Sequence, residues 1–175
     1  MITHHCKSVS VSLMSADLPI WSVVETPVTL HQKDRNRFHI VLTAPPVTDC
    51  EMTNFFNPQS ISSQEQSNAD VNTSRRILWF EISPKRVVMT MQGNAQMSYR
   101  HIWQQGVSGT TYYWLPNDLQ QQNSQQPNKP IRLRNFTRHL TVSGHPLPEN
   151  LSVEYELWVG DLQVGSYVLN LNIKH

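Results

Sequence analysis

Two runs of strict alternation near the end of the chain limit its possible folds more than any other feature. Leu151, Val153, Tyr155, Leu157 and Val159 alternate with Ser152, Glu154, Glu156 and Trp158. After Gly160-Asp161, Tyr167, Leu169, Leu171 and Ile173 alternate with Ser166, Val168, Asn170 and Asn172. A period of two sends successive side chains to opposite faces of a strand. Two such runs joined by a short Gly/Asp turn read as a β-hairpin.

The same period recurs upstream. Val9, Val11 and Leu13 alternate with serines, and Phe38, Ile40 and Leu42 alternate with Arg37, His39 and Val41. Ile20, Val24, Val28 and Leu30 share one parity, and Pro27 among them points to an edge or bulged strand. Residues 1–6 read as a loose end. Ile77–Ile82 is a nearly continuous apolar run, which reads as a strand buried on both faces, with Val87, Met89 and Met91 as its hairpin partner. Residues 95–105 fit either a short helix or a strand. Thr110–Leu115 is β-branched and aromatic, so it reads as a strand.

One strand contains a change of parity. Ile131 and Leu133 are odd, whereas Leu140 and Val142 are even. A one-residue slip turns every later side chain to the other face. A strand through this region therefore keeps its core face only with a bulge, predicted between 135 and 138. The pattern as a whole gives an all-β domain over 1–175. The expected architecture is an antiparallel β-sandwich, immunoglobulin-like or jelly-roll, of eight or nine strands with long polar loops near 57–74 and 117–130. The final strands resemble the end of an immunoglobulin-like sandwich, a likeness of architecture that carries no function.

Composition narrows the function classes. Fourteen Lys and Arg stand against thirteen Asp and Glu, for a formal net charge of +1. That balance disfavours a dedicated nucleic-acid binder. The N-terminal stretch does not look like a signal peptide, and no run has the length of a transmembrane helix, so a soluble cytoplasmic chain is expected. The two cysteines, Cys6 and Cys50, read as reduced thiols rather than a disulfide framework. His4, His5 and Cys6 are adjacent, but no spacing completes a tetrahedral site, so no metal is expected. With six glycines and no G-x-S-x-G, phosphate-binding loop or H-E-x-x-H, neither catalysis nor a cofactor is expected.

The candidate binding residues are aromatic and basic. Within a strand, Tyr112 and Trp114 share one face and Tyr113 takes the other. Exposed aromatics offer flat contact area for a protein or a stacking platform for a sugar. Trp158 has the parity of Glu154 and Glu156, so it is expected at the surface or under a cover. Arg132 and Arg134 share a face and could bind phosphate or carboxylate bidentately. Arg134 and Arg138 are also similar to the RxxxR half of the PilZ cyclic-di-GMP motif. Its other half, D/N-x-S-x-x-G, is met only by Asn150 and Ser152, because Tyr155 stands where the glycine belongs.

The reading that follows is a non-enzymatic module for protein–protein interaction or assembly, with a protein partner or a second copy of itself. The alternative is a carbohydrate-binding β-sandwich module using Tyr112, Tyr113 or Trp114.

Overall fold

The computed structural model describes residues 3–15, 17, 21–44, 76–92, 98–114 and 129–174. The strands are β1 (Thr3–Ser15), β2 (Trp21–Asp34), β3 (Arg37–Ala44), β4 (Arg76–Ser83), β5 (Arg86–Gln92), β6 (Ser98–Gln104), β7 (Ser108–Trp114), β8 (Ile131–Ser143), β9 (Asn150–Val159) and β10 (Leu162–Lys174). Each pairs antiparallel with its neighbours in the chain, and β1 also pairs with β10, from Ser8 opposite Lys174 to Ser15 opposite Tyr167. The sheet is therefore a closed barrel of ten strands.

This corrects the expected sandwich of eight or nine strands. Alternation gives each strand a core face in either architecture. What separates them is the pairing of the first strand with the last, which no local pattern encodes. Closure leaves a local edge, and Pro27 marks it: Pro27 lies opposite Ser8 of β1, while the β2–β3 ladder runs only from Val28 to Asp34. One other expectation changes with closure. Residues 3–6 are not a loose end, since Thr3 to Cys6 pair with Gln32 to Thr29.

Inside the barrel, Val9, Leu30, Ile40, Phe80, Val87, Trp103, Leu151, Val153, Leu169 and Leu171 are almost wholly buried. The organising hairpin forms as its alternation predicts, with Leu151, Val153, Tyr155 and Leu157 buried beside Tyr167, Leu169, Leu171 and Ile173. Residues 77–82 differ from expectation. Leu78, Phe80 and Ile82 point inward, but Ile77 and Trp79 lie on the outside at 46% and 40% exposure. On that outer face Trp79 packs its ring against His39 at 5.3 Å. The parity change in β8 is met by a register shift between Thr137 and His139, in the interval predicted for the bulge. Residues 98–104 are strand, which settles the ambiguous 95–105 piece at its centre.

The barrel ends differ. At the lower rim, short turns join β2 to β3, β4 to β5 and β6 to β7. There the β8–β9 connection folds back, with Pro148 buried, Leu147 packed on the core and Glu149 N–H donating to Ser143 O at 2.8 Å. From the upper rim leave the long connections β3–β4, β5–β6 and β7–β8, whose residues 45–75, 93–97 and 115–128 lie outside the described set, as does Cys50. The expected polar loop at 57–74 falls wholly there, and that at 117–130 falls there except for its last two residues. On five strands interior side chains toward the upper rim, Leu13, Val24, Tyr99, Tyr113 and Leu133, are only half-buried. On β3 to β5 the corresponding Leu42, Leu78 and Met91 are buried. Among the described residues no helix is long and apolar enough to cross a membrane.

Candidate functional site

Beneath the half-buried upper rim the barrel lining changes character. β6 contributes Tyr99, His101 and Trp103, β7 contributes Thr111 and Tyr113, and β8 contributes Asn135. All are odd-numbered, hence on one face of their strands. Tyr155 and Tyr167 complete the wall from β9 and β10. His101 stacks on Trp103 at 5.1 Å and meets Tyr99, Tyr113 and Tyr155 edge-on at 5.4, 5.6 and 5.6 Å. Trp103 continues to Tyr155 at 5.0 Å, and Tyr155 stacks on Tyr167 at 5.4 Å. Offset and edge-on ring pairs at these separations are favourable beyond their area.

Through these rings runs a directed hydrogen-bond chain. Asn135 Nδ2 donates to the Thr111 hydroxyl at 2.8 Å, that hydroxyl lies 3.1 Å from His101 Nδ1, and His101 Nε2 lies 3.3 Å from the Tyr113 hydroxyl. An amide nitrogen can only donate, so Thr111 accepts from Asn135. The Thr111 side chain is fully buried, and among the described residues the acceptor its hydroxyl meets is His101 Nδ1. With Nδ1 accepting, the neutral ring carries its proton on Nε2 and donates to the Tyr113 oxygen. The Tyr113 proton is then directed onward, from a side chain that is only half-buried.

Electrostatics keep the cluster uncharged. Burial pushes the His101 imidazole down to about 3. Burial raises the Tyr113 phenol, with smaller contributions from Tyr99 and Tyr167. Tyr155 rises for the same first reason, and Tyr167 by burial and then by Asp17. No Lys, Arg, Asp or Glu belongs to the cluster. Two buried polar atoms in it lack partners among the described residues, Trp103 Nε1 and Asn135 Oδ1. Gly109 sits opposite Asn135. A Cβ there would lie 2.9 Å from Asn135 Oδ1 and 2.6 Å from Ile102 O, so the glycine makes room for the carboxamide.

The residues singled out from sequence divide between the two faces as their parity predicts. Tyr113 enters the barrel. Tyr112, Trp114, Arg132, Arg134 and Trp158 are brought together on the outer wall of β7 to β9. Tyr112 and Trp114 stack at 5.9 Å, the Arg132 guanidinium lies 5.4 Å from the Tyr112 ring, and that of Arg134 lies 5.3 Å from the Trp158 ring. Trp158 is half-buried, and its Nε1 donates to Glu156 Oε2 at 3.1 Å. Glu156, on a polar parity, is nonetheless only 5% exposed, held by Arg138 at its other oxygen. Arg138 is thereby engaged within the wall, and Tyr155 fills the barrel interior where the PilZ pattern calls for glycine. Among the described residues no three His, Cys, Asp or Glu side chains come together as metal ligands. The side chains of His4, His5 and Cys6 are outside the described set.

Sequence reasoning missed Tyr99, His101, Trp103, Thr111, Asn135, Tyr155 and Tyr167 as a group. The available signal was polar residues at core parity, namely His101, Thr111, Asn135 and Thr137. A local rule broken inside a core is where function or strain collects.

No family model matches the chain, and no curated protein matches it. Among solved structures it is similar to the ywiB protein from Bacillus subtilis, with a TM-score of 0.57 at 11% identity, over 99% of this chain and 92% of that one. A protein of unknown function with a hot dog fold from Alicyclobacillus acidocaldarius aligns at 13% identity over 97% of this chain and 79% of that one, at a TM-score of 0.21. What the chain shares with the ywiB protein is the fold.

Proposed function

We propose that the barrel is a non-enzymatic binding protein that takes one small, uncharged, ring-bearing molecule at its upper mouth. Tyr113 donates a hydrogen bond to a carbonyl, ether or hydroxyl oxygen of that molecule. The observation that carries this reading is the chain from Asn135 through Thr111 and His101, which ends on the Tyr113 phenol with a proton to give. Barrel mouths are recurrent sites for small ligands, with rings for contact area and a few convergent polar groups for orientation.

The lack of charge in the cluster supports a neutral ligand, because an ionised group buried there would meet no countercharge. Binding without conversion fits the same groups. An imidazole held near 3 is a poor general base at neutral pH, and phenols raised by burial are poor acids. Sugars lie within this ligand class, so the carbohydrate reading narrows to Tyr113 and the mouth.

The test is a fluorescence titration with a neutral naphthyl ketone dye and with anilinonaphthalene sulfonate. The ketone is expected to bind with a blue shift, and Tyr113→Phe to weaken it about tenfold, equivalent to ~1.4 kcal/mol. Tighter binding of the sulfonate, or a ketone affinity unchanged by Tyr113→Phe, would overturn the reading.

A further inference from the structure

The outer wall of β6 to β9 presents a second arrangement, separate from the mouth. Arg100 on β6 lies opposite Tyr112 on β7, which lies opposite Arg132 on β8. One step along, Thr110, Arg134, Trp158 and Gln163 form the next row across β7 to β10. Arg100, Arg132 and Arg134 are all exposed. Glu156, the buried acid of this wall, already spends its two oxygens on Arg138 and Trp158. Among the described residues the three guanidiniums have no carboxylate partner, the ion pairs there being Arg37–Asp34, Arg138–Glu156 and Lys174–Glu25.

From this placement we infer that the β6–β9 outer wall is the docking face for an extended acidic segment of a partner protein, with Arg132 and Arg134 each receiving a carboxylate and Arg100 a third. Spacing supports the match. Arg132 and Arg134 are two residues apart on one strand, about 6.6 Å, which is also the separation of alternate side chains in an extended peptide. Arg100 stands two strands from Arg132, about 9.5 Å away. Two guanidiniums are already oriented: Arg132 lies over Tyr112 and also donates to its hydroxyl at 3.3 Å, and Arg134 lies over Trp158. A guanidinium held against a ring still has N–H groups free for a carboxylate and loses less entropy on binding.

Single-stranded nucleic acid fits this wall less well. Stacking of bases needs bare ring faces, and here the Tyr112 and Trp158 rings lie under arginine. A net charge of +1 also supplies little long-range attraction for a polyanion.

The experiment measures fluorescence anisotropy of a labelled alternating Glu–Ser peptide, its Gln–Ser counterpart and an oligothymidylate. The Glu–Ser peptide is expected to bind, to weaken as salt rises, and to lose about tenfold in affinity in Arg132→Ala/Arg134→Ala. Arg132→Lys/Arg134→Lys is expected to fall between, keeping charge but losing the planar fork. All these side chains are exposed, and thermal melts confirm that the variants fold. Tighter binding of oligothymidylate, equal binding of the Gln–Ser peptide, no peptide binding, or full affinity in the alanine variant would each overturn the proposal.

Discussion

The Thr111 hydroxyl accepts a hydrogen bond from Asn135 at 2.8 Å and lies 3.1 Å from His101 Nδ1, so one buried oxygen ties together β6, β7 and β8. These three strands form the polar side of the barrel, and the consequences of their wiring can be measured.

The first concerns acid. The folded-state pKa of His101 is about 3 against 6.5 for the free side chain. Between those values the unfolded chain binds a proton that the folded barrel refuses. Stability from this group is fully present above pH 6.5 and is lost as pH falls toward 3. The limiting slope is about 1.4 kcal/mol per pH unit. Urea unfolding at pH 7 and pH 5 should show the loss, and His101→Gln should flatten it.

The second concerns Gly109. Its Cα faces the Asn135 carboxamide so closely that an added methyl would meet both Asn135 Oδ1 and the Ile102 carbonyl. Neither has room to retreat in a packed barrel. Gly109→Ala is expected to destabilise by about 2 kcal/mol, and Asn135→Ala by a similar amount through loss of the Thr111 hydrogen bond and a small cavity. In the double variant the two costs should be less than additive, because the contact with Asn135 Oδ1 disappears while that with the Ile102 carbonyl remains.

The third concerns Glu156. Removing the guanidinium that holds it leaves a carboxylate only 5% exposed with a single indole N–H donor. Arg138→Ala is expected to cost about 1–3 kcal/mol in chemical denaturation. Adding Glu156→Gln should recover part of that, since the uncompensated charge is gone.

The fourth separates Trp103 as packing from Trp103 as polar group. Its Nε1 is buried and unpartnered. Trp103→Phe removes the orphan donor and some volume together, so its cost should stay below about 1.5 kcal/mol, whereas Trp103→Ala should cost about 3–5 kcal/mol. Thermal or urea melts of both variants check this.

How much could be read in advance follows from the range of each signal. Alternation is local, and it placed the Leu151–Ile173 hairpin, the separation of Tyr113 from Tyr112 and Trp114, the outward Trp158 and the β8 bulge; which of the two faces Tyr113 took was not legible. Closure by β1 on β10 is a contact between the two ends of the chain, and the Ser8–Ser15 pattern reads the same in a sandwich. Trp79 escaped because the composition of Ile77–Ile82 suggests burial on both faces, whereas the outer face of the wall is open at Ile77 and Trp79. His101 escaped because its neighbours Thr111 and Asn135 come from two later strands. No spacing in one segment reveals that three polar residues at core parity meet.

The central claim is that the mouth ends in a neutral, directed hydrogen-bond chain offered to a ligand acceptor. A long-range 1H–15N spectrum of the His101 ring at pH 6, with and without the neutral naphthyl ketone, tests it most directly. The account predicts a neutral ring protonated at Nε2, with the Nε2 resonance shifting when the ketone binds. An imidazolium at that pH, a ring protonated at Nδ1, or a ring blind to the bound ketone would contradict it.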